Sequence, residues 1–182
     1  MAFLGFLRRS RYERAGFVLY GKVVAAAREP ALYAGLGVPD TLDGRFDAIG
    51  LYAFLLIRRL RSAPMPGPAL AQAVFDAMFS DMDVNLREMG VGDLSIGKRV
   101  RVMWEAFHGR CAAYSEAMEA ADLPALEAAL ARNVWRGSPT PNGAVPALAR
   151  LALAQDQHLA QQELPTLGAG VVSFVPVEEA IR

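Results

Sequence analysis

The chain has 182 residues, of which 53% are apolar, and its 19 Lys and Arg residues are balanced by 19 Asp and Glu. This length predicts a single domain over residues 1–182, because two ordinary domains need a longer chain. The absence of net charge argues against a DNA-binding protein, which usually carries a basic excess. With one cysteine, the chain can form neither an internal disulfide nor a zinc site of several cysteines. The composition therefore indicates a helical intracellular protein.

The first 22 residues are the most asymmetric part of the chain, with four arginines and one lysine against one glutamate. Their apolar stretch is about five residues long and precedes the charges, unlike a secretory signal, and no segment approaches the roughly twenty apolar residues of a membrane span. The segment is typical of contact with an anionic membrane surface or ribosomal RNA phosphate, the alternative being a frayed end with solubilising arginines. The predicted contact residues are Phe3, Leu4, Phe6, Leu7, Arg8, Arg9, Arg11 and Arg14.

Helical periodicity dominates the next part of the chain. A first helix is predicted over residues 10–29 and ends before Pro30, and residues 31–40 are predicted to form a loop. Thr41 is expected to cap a second helix with one apolar face. That face consists of Leu42, Phe46, Ile49, Ala53, Leu56 and Leu60.

Three prolines separate the second helix from a third, which is predicted to begin near Pro68 and to end at Gly90. Its core-facing stripe is Phe75, Phe79, Met82, Leu86 and Met89. A fourth helix is predicted from Ser95, which acts as its N-cap. Its stripe is Ile96, Val100, Met103, Phe107, Cys111, Tyr114 and Met118.

The last third of the chain predicts two more helices. Asp122 is expected to cap a fifth helix that reaches Trp135, residues 138–143 form a loop, and a sixth helix spans residues 145–163. The tail, residues 164–182, contains a short β-prone stretch. We therefore predict an irregular all-α fold of about six helices.

Two patterns resemble ligand-binding motifs but lack required residues. Residues 92–98 have the glycine and lysine spacing of a phosphate loop, yet Arg99 stands where a Ser or Thr must bind magnesium, and a helix precedes the segment. Residues 81–92 open like a calcium-binding loop but lack the required Gly and Glu. A nucleotide-binding enzyme is thus a weak alternative, which a failure of ATP and GTP to raise the Tm would remove.

The remaining reactive side chains give no pattern of a catalytic or metal site. His108 and His158 have no His or Cys neighbours at ligand spacing, and each is interpreted as a surface or capping residue. Cys111 lies on the apolar stripe of its helix and is interpreted as a small core residue. We expect no catalytic residues, no metal and no cofactor.

The segment of residues 81–99, named the ledge below, is the most distinctive part of the chain. It alternates acids, amides and bases across a helix end, and it has three glycines within eight positions. Those glycines predict a close approach of the third and fourth helices, with Asp93 capping backbone NH groups and Arg87 or Lys98 pairing with acids. Two interpretations stay open: a polar lock between the two helices, and a rigid surface that binds a partner.

Five short motifs in and around the ledge strongly resemble the ubiquinol–cytochrome c chaperone family. These proteins are bacterial relatives of the mitochondrial assembly factor for cytochrome b of the bc1 complex. The resemblance extends over about residues 30–140. The motifs are Phe75-Asp-Ala-Met-Phe79, Asp81-Met82-Asp83, Asn85-Leu86-Arg87-Glu88, Gly90-Val91-Gly92-Asp93 and Gly97-Lys98-Arg99-Val100.

The resemblance implies an all-α chaperone without catalytic activity. Mitochondrial members hold newly made cytochrome b near the ribosomal exit, together with a small partner protein, until haem and later subunits arrive. This chain has no transit peptide, so we expect a bacterial cytoplasmic protein that is peripheral on the inner face of the membrane. The expected partners are cytochrome b, the ribosome, an anionic membrane surface and a small partner protein.

A chaperone of this kind needs an apolar groove with adaptable methionines and a charged rim. The third and fourth helices carry Met78, Met82, Met89, Met103 and Met118. Most of these are expected in the core, because they lie on stripes at helical spacing, and one or two at an exposed end are expected to line the groove with Trp104 or Trp135. The predicted partner-binding residues are Asp81, Asp83, Asn85, Arg87, Glu88, Gly90, Gly92, Asp93, Lys98, Arg99 and Trp104. Double charge reversal at Asp93 and Lys98 is predicted to abolish client capture. The alternative function is a helical ribosome- or RNA-binding factor, whose affinity would fall steeply with salt.

Overall fold

A computed structural model describes the backbone of residues 2–181 and the side chains of residues 12–181. Within this range the chain is helical and contains no strand, which confirms the all-α prediction. Buried side chains from residue 15 to residue 177 form one hydrophobic cluster. The helices are α1 (Ala2–Ala27), α2 (Leu42–Arg61), α3 (Gly67–Glu88), α4 (Asp93–Glu119), α5 (Leu123–Leu130), α6 (Ala144–Ala160), α7 (Leu164–Gly168) and α8 (Val177–Ala180).

Helix α1 begins eight residues before the predicted start and packs mainly against α3. It ends before Pro30, as predicted, because proline disfavours helical geometry in the residue before it. The predicted loop after Pro30 instead begins with a turn of π-helix, Ala31–Gly35. The buried side chain of Leu32 anchors this turn in the core.

Helix α2 is the central helix of the core. Thr41 caps it as predicted, with Oγ1 accepting a hydrogen bond of 3.1 Å from the Gly44 backbone NH. The prediction of a single buried face is wrong, since fourteen of its twenty residues are buried. Leu42, assigned to that face, is exposed instead. Other helices pack on several sides of α2, and a periodicity of apolar residues does not reveal how many sides are covered.

Helix α3 starts with Pro68 in its first turn, which confirms that prediction. Its predicted core-facing stripe is confirmed at Met82 and Leu86, which are buried, and is wrong at Met89, which is exposed. Phe75 and Phe79 are half-buried, while Val74 and Met78 are fully buried. Both phenylalanines lie close to Phe107 of α4, with ring centroids about 6 Å away, and so they join α3 to α4.

The C-terminal third follows the prediction closely. Asp122 caps α5 by accepting a 3.0 Å bond from the Ala125 NH, and a π-helical turn continues this helix to Trp135. The β-prone stretch of the tail is extended but forms no strand. Its backbone is hydrogen-bonded by two glutamine side chains. The side-chain amide of Gln155, on α6, bonds the backbone NH and carbonyl of Val175, and that of Gln162, just after α6, bonds the same two groups of Ser173.

Candidate partner-binding groove

Helix α4 is the least buried of the long helices, with four of its 27 residues buried. It packs mainly against α3 and α5. Facing α2, it makes a close contact at one crossing point, where the Gly50 backbone lies against the side chains of Phe107 and Arg110. A cleft opens between α2 and α4 on each side of this crossing point.

An ion cluster centred on Asp47 fixes the crossing point. The carboxylate is buried, with 1% of its side chain exposed, and accepts bonds of 2.6 and 2.7 Å from Arg136. It also pairs with Arg110, whose guanidinium lies 5.4 Å from the centre of the Phe46 ring. Burial raises the pKa of Asp47, and the two guanidiniums oppose that effect. The cluster therefore joins α2, α4 and the chain after α5.

The larger cleft is a groove of about 560 Å³ between the start of α2, the end of α3 and the first half of α4. This volume lies within the usual range of ligand sites. The lining is mostly apolar and includes three of the methionines that the sequence analysis proposed, Met82, Met89 and Met103. The other lining residues are Leu42, Asp43, Phe46, Asn85, Leu86, Ser95, Lys98, Arg99, Val102, Ala106 and Arg136.

Three large apolar side chains at the groove are exposed to solvent, whereas apolar side chains of the core are buried. Leu42 is 61% exposed, Val102 56% and Met89 48%. Leu42 lies on α2, Val102 lies on α4 and Met89 directly follows α3, and these three side chains are named the apolar border of the groove below. Exposed apolar surface bordered by polar residues is typical of an interaction site.

The ledge forms one side of the groove, and Arg87 joins its two ends. The Arg87 guanidinium donates a 2.7 Å bond to Asp83 and a 2.6 Å bond to Asp93, which ties the end of α3 to the start of α4. This pairing of Arg87 with acids confirms the predicted contact. The same two carboxylates raise the pKa of Arg87.

Helix α1 also contacts the ledge. Asp81 accepts a 2.7 Å hydrogen bond from the Tyr20 hydroxyl, and burial together with this bond raises the pKa of Tyr20. Asn85 donates its side-chain amide to the Asp81 carbonyl. The ledge is thus tied to α1 as well as to α4.

The predicted close approach of helices at the ledge glycines is wrong for all three. A Cβ atom at Gly90, Gly92 or Gly97 would meet no atom within 4 Å, so none of these glycines lies at a close helix contact. Gly90 differs in its backbone conformation, because its φ of +77° lies in the left-handed region that favours glycine. The predicted N-cap at Ser95 is also wrong, since α4 starts at Asp93 and Gly92 occupies the cap position.

The structure separates the predicted partner-binding residues into three groups. Asn85, Lys98 and Arg99 line the groove. Trp104 lies apart from it and stacks on the His108 ring at 3.9 Å. The rest lie on the ledge but do not line the groove: Asp81, Asp83, Arg87, Glu88, Gly90, Gly92 and Asp93. Their binding role stays a prediction. Trp135, the other tryptophan considered, is buried and donates its indole NH to the Gly37 carbonyl.

Sequence reasoning missed the α2 side of the groove and its basic end. Leu42, Asp43 and Phe46 precede the ledge by about 40 residues, and Arg136 follows it by about as many. The exposure of Leu42 has no sequence signal, because an apolar residue on an apolar stripe predicts burial. The sequence contained a weak indication that Val102 is exposed, since this residue does not belong to the predicted apolar stripe of α4.

The smaller cleft, about 390 Å³, lies on the other side of the crossing point and contains His108 and Cys111. Burial raises the pKa of Cys111 to about 12, which agrees with an unreactive thiol. His108 Nδ1 lies 3.0 Å from the Trp104 carbonyl, and His158 Nε2 lies 2.9 Å from Ser173 Oγ. Among the described residues, no group of three His, Cys, Asp or Glu side chains is arranged to hold a metal.

The predicted membrane- or ribosome-contacting side chains lie almost entirely outside the described side chains. These are Phe3, Leu4, Phe6, Leu7, Arg8, Arg9 and Arg11. Arg14 is described and is exposed on α1. Across residues 2–181, no helix combines the length and the apolar character needed to cross a membrane.

Comparison with known proteins agrees with the resemblance seen in the motifs. The sequence model of the family described as ubiquinol-cytochrome C chaperone matches residues 34–174. A solved structure, titled as the crystal structure of the Cbp3 homolog from Brucella abortus, superimposes with a TM-score of 0.83. It is 35% identical in sequence, and the match covers 98% of this chain and 99% of that one. Among functionally curated proteins, no match was found.

Proposed function

Because this chain belongs to the ubiquinol-cytochrome C chaperone family, we propose that it binds newly made cytochrome b during assembly of the bc1 complex. The proposed activity is non-catalytic holding of the client in a single domain. The observation that carries the proposal is the open apolar groove between α2, α3 and α4. It supplies the kind of surface that a holding chaperone needs, on a helix that the core does not cover.

The chemistry of the groove suits a client with apolar helices. A newly made membrane protein exposes apolar side chains before its partners arrive, and a groove shields them from aggregation. Met82, Met89 and Met103 line the groove. Methionine is unbranched and polarizable, so it adapts to side chains of different shape. The groove is therefore suited to several segments of one client.

The ledge would support this groove as its rigid border. Arg87 holds Asp83 and Asp93 across the turn between α3 and α4, so the border does not depend on the client for its shape. Partner binding by the ledge residues and the effect of reversing Asp93 and Lys98 remain predictions. A small partner protein, expected from the family, would bind this exposed polar surface.

The basic N-terminus would serve a separate task. Gly16 of α1 packs tightly against Ala73 in the first half of α3, whereas the groove uses the last two turns of α3. The chain preceding Gly16 therefore approaches the end of α3 away from the groove. We propose that it contacts the anionic inner face of the cytoplasmic membrane or the ribosome, leaving the groove free for cytochrome b.

Site-specific photocrosslinking in cells tests the proposal. A photoreactive amino acid at Val102, in the groove, is expected to crosslink to cytochrome b, as identified by mass spectrometry. The matched control is the same amino acid at Arg150, an exposed position on α6. Equal crosslinking at both positions, or none to cytochrome b at Val102, would contradict the proposal.

The same experiment distinguishes the proposed function from the alternative of a ribosome- or RNA-binding factor. A ribosome- or RNA-binding factor predicts ribosomal proteins in place of cytochrome b among the captured partners. Its binding would also weaken steeply as salt increases, because phosphate contacts release counterions. Capture by an apolar groove is expected to persist at high salt, since the hydrophobic effect is not screened.

A further inference from the structure

The groove has a positive charge although the chain as a whole has none. Its charged lining residues are three cations and one anion: Lys98, Arg99, Arg136 and Asp43. Arg136 is already shared between buried Asp47 and Asp43, the latter at 3.6 Å. Lys98 and Arg99 are exposed on consecutive positions of α4, and neither has an ion-pair partner among the described residues.

Three of the acids near the groove are engaged elsewhere. Asp83 and Asp93 both bind Arg87, and Asp81 accepts the Tyr20 hydroxyl. Glu88 is exposed on the ledge but does not line the groove. The intramolecular network therefore leaves two adjacent cations beside the apolar surface of Met89 and Val102.

We propose that the groove selects client segments in which carboxylate side chains accompany the apolar ones, and that Lys98 and Arg99 bind those carboxylates. This inference rests on the proposed function of the groove. It follows from charge complementarity. An acidic segment can form ion pairs with Lys98 and Arg99, whereas a basic segment is repelled by both. Cytoplasmic loops of membrane proteins are enriched in Lys and Arg. A positively charged groove would therefore repel apolar segments that lie next to basic loops and would bind apolar segments that carry carboxylates.

A protein segment suits the groove better than a lipid. The apolar border comes from α2, α4 and the residue directly after α3, which is Met89, and the flexible side chain of Met89 accommodates varied shapes. The cations lie at one side of this border, which matches carboxylates spaced along an extended or helical segment. An anionic lipid also combines apolar and negative parts, and so it is included in the test.

The test uses two labelled peptides with identical apolar residues, one carrying two glutamates and the other two lysines. Fluorescence anisotropy with the full-length protein is expected to show about tenfold tighter binding of the glutamate peptide. Lys98→Glu with Arg99→Glu should reverse this preference. The control Lys22→Glu with Arg28→Glu makes the same change in net charge at one exposed position on α1 and one directly after it, and it should leave the preference intact.

Three outcomes would overturn the inference. These are equal binding of both peptides, an unchanged preference after the reversal, and reversal-sensitive binding of vesicles containing phosphatidylglycerol without peptide selectivity. Circular dichroism and the Tm verify that the variants fold.

Copurification of cytochrome b separates this inference from the proposed function. If Val102→Asp loses the client while the charge reversal retains it at the normal level, the groove functions but its charge does not select. If both variants retain the client fully, the proposed function of the groove fails as well.

Discussion

Helices α2 and α4 lie beside each other but are buried to very different degrees. Fourteen of the twenty residues of α2 are buried, compared with four of the 27 residues of α4. They meet closely at the crossing point of Asp47 and Gly50 with Phe107 and Arg110, and clefts lined by both helices lie on either side of it. The contrast indicates that α2 supplies stability, while α4 leaves apolar surface available to a partner.

Breaking the crossing point should have the largest effect. Asp47→Asn removes the charge that two arginines share and leaves Arg110, only 11% exposed, without its counterion. Because an unpaired buried charge is strongly unfavourable, we expect a loss of about 3 kcal/mol in the free energy of unfolding. Urea unfolding measures it. Asp40→Asn is the control, since its pair with Arg45 is exposed and its loss should not be measurable. Equal effects of the two variants would show that the buried cluster does not stabilise the fold.

Met78 on α3 and Met89 directly after its end allow the core to be compared with the groove. Met78 is fully buried, and Met78→Ala should cost about 3 kcal/mol because it leaves a cavity. Met89 lies half exposed at the groove, and Met89→Ala should change stability by less than about 0.5 kcal/mol. Thermal unfolding distinguishes the two. Under the proposed function, Met89→Ala should reduce copurification of cytochrome b, and a stability loss like that of Met78→Ala would place Met89 in the core instead.

Two ledge glycines should respond to alanine in opposite directions. Gly90→Ala should cost about 1 kcal/mol, since φ at this position is left-handed. Gly97 is helical and its missing side chain would point into open space, so Gly97→Ala should gain about 0.5 kcal/mol. Chemical denaturation of both variants shows whether each substitution lowers or raises the free energy of unfolding. A loss at Gly97 would mean that α4 has a close neighbour at this position.

The reactivity of the Cys111 thiol measures how accessible the buried side of α4 is, and it requires no substitution. Its pKa is raised to about 12 by burial, and it is the one cysteine of the chain. Labelling with a thiol reagent at pH 8 should be about 100-fold slower in the folded protein than in urea, because the thiolate is the reactive form. Rapid labelling of the folded protein would show that α4 moves away from α2 on the experimental timescale.

Local signals in the sequence accounted for most of the helix boundaries. Thr41 and Asp122 cap α2 and α5 as predicted, and Pro30 and Pro68 mark a helix end and a helix start. These features depend on a few neighbouring residues, so a pattern within the chain suffices to detect them. The ledge motifs were equally informative, because the family they resemble is the one to which the chain belongs.

The groove could be predicted only in part. Methionines and the ledge cations were recognised, but Leu42, Phe46 and Arg136 were not, since their closeness to Val102 depends on how α2 and α4 cross. The predicted close approach at the ledge glycines failed for a related reason. Glycine permits a close contact, but packing by other helices determines whether one forms.

The helical class, the N-caps at Thr41 and Asp122 and the family could all be predicted from the sequence, because each follows from short-range chemistry or from motifs of a few residues. The tertiary structure decided which apolar residues stay exposed and which charges remain unpaired. Leu42 fits an apolar stripe and is exposed, whereas Asp47 is charged and buried. Burial depends on neighbours that are distant in the chain, and Arg110 and Arg136 reach Asp47 only after α4 and α5 have packed.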